Sequence, residues 1–106
     1  MMTIEVREYD VGIELLVTLT SNNEVFDVST ATSILFRFRK PSGTEVSKTG
    51  ILKTDGTDGK VRYVSVANDF NEIGTWRYQV YVELADGSKR TSEMSKFKVS
   101  DAISLP

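Results

Sequence analysis

The sequence predicts a small all-β sandwich, and two patterns carry this prediction. Apolar and polar residues alternate in several short runs, as they do in strands that bury one face. Turn residues separate these runs at nearly even intervals, at positions 41–43, 55–59, 73–74 and 86–87. Because strands this short are not stable alone, regular turns between alternating runs are typical of two sheets that pack face to face.

The alternating runs give about seven antiparallel strands, the number expected of an immunoglobulin-like sandwich. The run 75–84 is the strongest, whereas 3–9 and 45–54 mix polar with apolar residues, which is typical of sheet edges. The segment 68–72 is the only one that favours a helical turn. The predicted strands cover 3–9, 13–20, 32–40, 45–54, 60–66, 75–84 and 89–99, with a further extended piece that starts at Val25.

The predicted core is aromatic. Phe36, Phe38, Trp76 and Tyr78 fall at inward positions of their strands. Burying one aromatic side chain contributes ~2–3 kcal/mol to stability. We therefore expect these four rings to form the core rather than an exposed platform for a sugar.

Length and charge limit the class of protein. The chain has 106 residues, the size of one domain, and we expect a sandwich over 1–99 followed by a tail or linker at 100–106. Its 13 basic and 15 acidic residues leave a net charge of −2, which gives no reason to expect nucleic acid as a partner.

No apolar run approaches the ~18 residues of a membrane-spanning helix, so we expect no membrane contact. The first residues lack the basic and apolar regions of a signal peptide.

The sequence contains no cysteine and no histidine. Most zinc sites, cysteine nucleophiles and serine–histidine pairs need one of these side chains, so we expect neither enzymatic activity nor a metal or other cofactor. The absence of cysteine also fits assembly in a reducing cytoplasm. The acidic loop 55–59 lacks the alternating oxygens and distal glutamate of an EF-hand calcium loop, which favours a plain turn.

Several basic residues lie on neighbouring predicted strands. Acidic Glu45, Asp55 and Asp58 interrupt them, which favours a solvated outer face over a binding patch. The basic residues are Arg37, Arg39, Lys40, Lys48, Lys53, Lys60 and Arg62.

A wider pattern joins the turns to the core positions, and it covers about residues 10–99. The pattern resembles the immunoglobulin-like domain at the N-terminus of phage baseplate upper proteins and of related phage tail and head proteins. This resemblance implies a virion component that docks onto other structural proteins and has no catalytic residues. The matching elements are Asp10-x-Gly12, the strand 15–19, Phe26-Asp27-Val28-Ser29-x-Ala31-Thr32, Phe36-x-Phe38-x-Lys40-Pro41-x-Gly43-Thr44, Asp58-Gly59-Lys60-Val61-x-Tyr63, Ile73-Gly74-x-Trp76, Asp86-Gly87 and Phe97-x-Val99.

The resemblance favours one function, and the fold leaves a second open. The first is a non-enzymatic phage or prophage virion protein, assembled in the host cytoplasm, that contacts tail, baseplate or capsid subunits or further copies of itself. The second is a sandwich module that binds cell-surface carbohydrate or a peptide strand. Neighbouring exposed rings among Tyr9, Phe26, Phe70 and Tyr81, the aromatics least committed to the core, favour carbohydrate, whereas a flat exposed edge or a symmetric oligomer favours assembly. Both a free-standing connector and the first domain of a longer protein fit the resemblance.

The predicted edge strands supply the candidate binding residues. These are Ile4, Val6 and Tyr9 near the N-terminus, and Val46 and Lys48 in the run 45–54. An edge strand presents unpaired backbone N–H and C=O groups to a partner. Because proline removes a backbone donor, we expect proline at Val6 or Val46 to impair docking more than folding.

Overall fold

A computed structural model of the chain describes residues 5–101, which form eleven short strands. In chain order these are β1 (Glu5–Arg7), β2 (Glu14–Thr18), β3 (Thr20–Ser21), β4 (Glu24–Val25), β5 (Ala31–Arg39), β6 (Glu45–Thr49), β7 (Ile51–Leu52), β8 (Lys60–Val64), β9 (Gly74–Leu84), β10 (Lys89–Thr91) and β11 (Ser95–Ser100). Residues 5–101 include no helix that is long and apolar enough to cross a membrane.

The strands form two packed sheets and a small hairpin. The main sheet has the strand order β1-β11-β9-β5-β6, and β10 also pairs with β9. The second sheet has the order β2-β8-β7, and β3 pairs with β4. Inward-facing side chains from both sheets meet in one hydrophobic core. The predicted all-β sandwich is therefore confirmed.

One strand pair departs from the predicted antiparallel arrangement. β1 runs parallel to β11, with Val6 opposite Val99. After β1 the chain continues to β2 in the second sheet instead of turning back in a hairpin, so its connection does not force an antiparallel neighbour. The other pairings among the described strands are antiparallel.

The predicted strand 45–54 is in fact two strands in different sheets, divided at Gly50. β6 pairs with β5 in the main sheet, and β7 pairs with β8 in the second sheet. Gly50 is buried at the crossing, and its amide donates to the Ile34 carbonyl (2.9 Å). A Cβ atom at this position would lie 2.7 Å from two carbons of the Phe36 ring. The chain passes from one sheet to the other here because glycine leaves room for that ring.

The predicted final strand 89–99 is also interrupted. β10 and β11 both pair with β9, and residues 92–94 lie between them. Ser92 fills the break by donating its amide to the Val80 carbonyl and by accepting the Val80 amide at its hydroxyl (2.8 Å each). The side chain thus replaces one rung of the ladder, and β11 resumes the pairing with β9 with its register shifted by one residue.

The core joins the two sheets mainly through aromatic contacts. The Tyr63 ring of β8 lies 5.9 Å from both Phe36 and Phe38 of β5, measured between ring centroids. Trp76 is 1% exposed, and its indole N–H donates to the Glu72 carbonyl (2.8 Å). The prediction that Phe36, Phe38, Trp76 and Tyr78 form the core is confirmed. The buried apolar residues are Val6, Leu15, Leu19, Val28, Ile34, Phe36, Phe38, Val61, Phe70, Trp76, Tyr78, Val80, Val82, Phe97 and Val99.

The expectation that Phe70 is among the aromatics least committed to the core is wrong. Phe70 is 3% exposed, and its ring centroid lies 5.6 Å from that of Trp76 and 5.2 Å from that of Phe97. The loop after β8 folds back over the end of the sandwich and inserts this ring. No strand alternation marks a residue that reaches the core from a loop, and the sequence pattern therefore missed it.

Asp69 holds that loop against both sheets. Its carboxylate, in a side chain that is 6% exposed, accepts hydrogen bonds from the Tyr63 hydroxyl and from the Val66 amide (2.8 Å). It also pairs with Lys48 of β6 (Nζ–Oδ1, 3.3 Å). Burial of the ring, followed by the hydrogen bond and the negative charge of Asp69, raises the pKa of Tyr63 above its ordinary value of 10.0.

Replacing Gly50 with alanine is expected to destabilise the protein by about 1–3 kcal/mol, because the new methyl group would overlap the Phe36 ring. Urea denaturation of Gly50→Ala, Phe36→Leu and the double variant measures this effect. The cost of Gly50→Ala is expected to shrink in the Phe36→Leu background, because the smaller side chain vacates the space. An equal cost in both backgrounds would show that the Phe36 ring is not what requires glycine.

The Tyr63 hydroxyl is expected to contribute stability that disappears at alkaline pH. Its pKa is higher in the folded protein than the ordinary 10.0, so the contribution is complete below that pH and declines as pH rises beyond it. Wild type and Tyr63→Phe are compared by urea denaturation at intervals between about pH 8 and pH 11. Tyr78, whose pKa is also raised by burial, is present in both proteins and cancels. A difference that stays constant over this range refutes the argument.

Candidate docking surfaces

The two predicted edge strands lie at the two edges of the main sheet. β1 and β6 are the first and last strands in its order. Of the candidate binding residues, Ile4 lies outside the described residues, and the other four fall on or beside these two strands. The structure does not bring the two groups together, because three strands separate β1 from β6.

The β1 edge is largely closed by its own turn. The Glu8 amide donates to the Ser100 carbonyl of β11 (2.9 Å). Because the backbone groups of successive strand residues point to opposite sides, those of Arg7 point away from β11. The Arg7 amide donates to the Asp10 carboxylate (2.9 Å), and the Arg7 carbonyl accepts the Asp10 amide (3.1 Å). Asp10 therefore occupies the outward backbone groups that a docking strand needs at this position.

The side chains predicted on the β1 edge also have different surroundings from those expected. Val6 is 2% exposed and belongs to the core, so its side chain is not available to a partner. Proline at Val6 would place a ring in the core and remove an amide on the β11 side, so its position predicts a loss of folding as well as of docking. Tyr9 is 44% exposed but lies in the turn after β1, with a positive φ of 75°.

The β6 edge is open over its five residues. Lys40 donates to Thr44 (2.8 Å) and Gly50 donates to Ile34 (2.9 Å), which fixes the hydrogen-bonded pairs at both ends of the β5–β6 ladder. Alternate residues between them, Val46 and Lys48, therefore pair with β5. The backbone N–H and C=O groups left at the free edge are those of Glu45, Ser47 and Thr49.

The sequence thus located the β6 edge, but neither of its two candidate residues there presents its backbone to the free side. Val46 and Lys48 are half-buried, Lys48 pairs with Asp69, and both use their backbone groups within the sheet. Proline at Val46 would break a hydrogen bond within the sheet, so this position too predicts a loss of folding as well as of docking. The residues whose backbone faces the free edge are Glu45, Ser47 and Thr49. They alternate with the paired residues, which follow at every second position from the Lys40–Thr44 pair that closes the turn.

The outer face of the second sheet carries exposed apolar side chains around a charged centre. Leu16 and Ile51 are 42% and 53% exposed and flank Arg62 across the three strands. The Glu14 carboxylate binds Arg62 (3.0 Å) and Lys53 (3.1 Å), and these hydrogen bonds lower the pKa of Glu14. Two of the residues predicted to form a solvated basic face are therefore in an ion-pair network.

The carboxylates of the loop 55–59 are engaged in turn formation. Asp55 accepts from the Thr57 amide (3.0 Å) and hydroxyl (2.7 Å), and these bonds lower its pKa. Asp58 accepts from the Lys60 amide (3.0 Å) and the Thr54 hydroxyl (2.9 Å). Within residues 5–101, no group of three or more acidic side chains is arranged to hold a metal ion.

The aromatic residues do not form an exposed pair of the kind that favours carbohydrate binding. Phe70 is buried, and Phe26 is half-buried beneath the Arg90 guanidinium, 4.8 Å from its ring centroid. Tyr9 follows β1, at the end of the main sheet where β11 pairs with Thr75 of β9. Tyr81 lies on β9, six residues beyond Thr75. Six residues of extended chain span ~20 Å, so these two rings lie at different parts of the surface.

Comparisons with known proteins give a family match and a structural similarity. The sequence model of the family described as "BppU N-terminal domain" matches residues 2–104. No curated protein sequence matches the chain. Among solved structures, the crystal structure of CopC from Methylosinus trichosporium OB3b is similar, with a TM-score of 0.51 and 14% sequence identity over 96% of this chain and 91% of that chain. At this identity the similarity shows the fold alone.

Proline substitutions are expected to separate the inward and outward residues of β6. Val46→Pro removes a hydrogen bond to β5 and is expected to lower the free energy of unfolding by about 3 kcal/mol. Ser47→Pro removes an amide that faces the free edge and is expected to cost less than about 1 kcal/mol. Urea denaturation of both variants provides the measurement. Equal losses would contradict the assigned register of the free edge.

Proposed function

Because the chain belongs to the family of BppU N-terminal domains, the N-terminal domains of phage baseplate upper proteins, we propose that it docks onto other baseplate subunits through the free edge of β6. Its role is that of a structural part of the phage, and a baseplate domain is a component of the virion. The proposal adds the surface of this chain that makes the contact and the way in which it does so.

The unpaired backbone of β6 is the observation that carries the proposal. A partner strand that lies beside β6 meets outward N–H and C=O groups at Glu45, Ser47 and Thr49. Backbone hydrogen bonds of this type supply affinity in strand addition, and the alternate side chains supply specificity. β6 contains neither a proline nor a bulge, two of the features that block strand addition at a sheet edge.

The side chains of β6 leave the edge accessible. Glu45, Ser47 and Thr49 are exposed on the outer face, and Ser47 and Thr49 are small and uncharged. The charge of Glu45 is met by Arg39, whose Nη2 lies 2.9 Å from its Oε2. An incoming strand therefore meets neither bulk nor an unpaired charge of this strand along the edge.

The proposed role is non-enzymatic, and assembly takes place in the host cytoplasm before the virion is released. The family supports a structural role. The partners are other phage structural proteins, and a further copy of this chain fits the same edge. Whether the subunit contacted belongs to the baseplate itself or to the adjoining tail is determined by the experiment below.

The docking proposal is tested by co-expressing the chain with the other baseplate and tail proteins of the phage that encodes it. Wild type and Ser47→Ala, which keeps the backbone amide, are expected to co-purify with a partner. Ser47→Pro is expected to lose at least about tenfold in affinity, since it removes one backbone bond and obstructs strand addition. Thermal unfolding of each variant before the binding assay confirms that the domain is folded.

Two outcomes count against the proposal. Equal binding by Ser47→Pro and Ser47→Ala would show that the β6 edge is not the docking surface. Absence of the chain from purified virions, examined by mass spectrometry, would contradict the structural role itself.

A further inference from the structure

A row of cations crosses the outer face of the main sheet next to the β6 edge. Arg39 of β5 lies opposite Arg77 of β9, and Arg77 lies opposite Lys96 of β11. Arg37 precedes Arg39 on the same face, and all four side chains are exposed. Like charges directly opposite each other destabilise a sheet, so the fold gains nothing from this arrangement.

The surface is concave at this point. Arg37, Arg39 and Arg77 line a depression of about 240 Å³, together with Glu45, Gln79 and Met94. Its floor is the paired backbone of β5 and β9 around Phe38 and Tyr78. Three arginines therefore line one shallow depression, and its base is the longest strand pairing of the fold.

The positive charge of the depression is only partly neutralised. Glu45 binds Arg39 through Oε2, which lies 2.9 Å from Nη2 and 3.1 Å from Nε. Within the described part of the chain, no carboxylate lies within ion-pair distance of Arg37, Arg77 or Lys96. The depression keeps two uncompensated guanidinium groups, although the chain as a whole has a net charge of −2.

We propose that this depression receives a carboxylate from an acidic segment of the subunit that docks beside β6, an inference that rests on the docking function proposed above. Guanidinium groups bind carboxylates through paired, charge-assisted hydrogen bonds. Arg37 and Arg77 provide those donors, and Gln79 supplies a further polar group between the strands. The partner's carboxylate also relieves the repulsion between the facing cations.

The surroundings favour an acidic protein segment over nucleic acid. A nucleic acid needs a basic surface that follows several phosphates in succession. Here Glu45 borders the depression on the β6 side, and Glu83 lies further along the same face of β9. The basic surface therefore ends near these residues, and its short extent matches the carboxylates of an acidic segment better than a long succession of phosphates.

The proposal is tested on the isolated domain by titrating a decaglutamate peptide and following backbone and arginine side-chain resonances by NMR. Shifts are expected at Arg37, Arg77 and Gln79. Arg37→Gln/Arg77→Gln is expected to weaken binding about tenfold, because it removes both uncompensated donors. The matched control, Lys60→Gln/Lys89→Gln, removes the same charge from other exposed strands and is expected to change binding less than about twofold.

Several results would overturn the proposal. One is that decaglutamate shifts residues elsewhere, or that both double variants weaken its binding equally. Another is that a ten-nucleotide oligothymidylate occupies the depression more tightly than decaglutamate, which would assign the site to nucleic acid. Equal occupancy by inorganic phosphate would reduce the site to a general anion site.

The co-expression assay separates this inference from the docking proposal. If wild type co-purifies with none of the baseplate and tail proteins, the docking function is refuted. The peptide titration then still tests whether the depression binds carboxylates. If wild type co-purifies and Arg37→Gln/Arg77→Gln does so with the same affinity and salt dependence, the carboxylate site alone is refuted. The expected result is weaker binding by the variant, with a smaller salt dependence.

Discussion

The position of the Phe36 ring is the constraint on which much of the fold depends. This fully buried ring lies beneath Gly50 and beside Tyr63, so it touches the point where the chain changes sheets and also the second sheet. Because only glycine fits above the ring, the crossing is fixed at one residue. That crossing ends β6 after five residues and begins β7, which determines how much of the main-sheet edge is left open.

The sheet has two edges, but their backbone chemistry differs. Asp10 satisfies the outward amide and carbonyl of Arg7, so the turn after β1 closes that edge at Arg7. No corresponding group satisfies the outward positions of β6 within the described residues. Arg39 and Glu45 then connect this open edge to the basic depression on the adjoining face. Edge and depression thus form one continuous surface that a single partner can occupy.

The sequence was sufficient for the fold class, the aromatic core and the edge positions of β1 and β6, because alternation and turn residues report local burial. It did not reveal the division at Gly50, which depends on a ring from another strand, or the burial of Phe70, which reaches the core from a loop. Its candidate residues on β6, Val46 and Lys48, alternate with the residues whose backbone faces the free edge. The Arg39–Arg77 row was hidden because its members are distant in the sequence and meet only through strand pairing.

The open edge also allows two copies of the domain to pair with each other. Ser47 is the central residue of β6, so two copies can pair their edges antiparallel about a two-fold axis with Ser47 facing Ser47. In that arrangement Glu45 of each copy faces Thr49 of the other, and no like charges oppose. Self-pairing of this kind would use the same backbone groups as the proposed docking partner. The ratio of partner to domain would then influence how much of the domain enters the assembly.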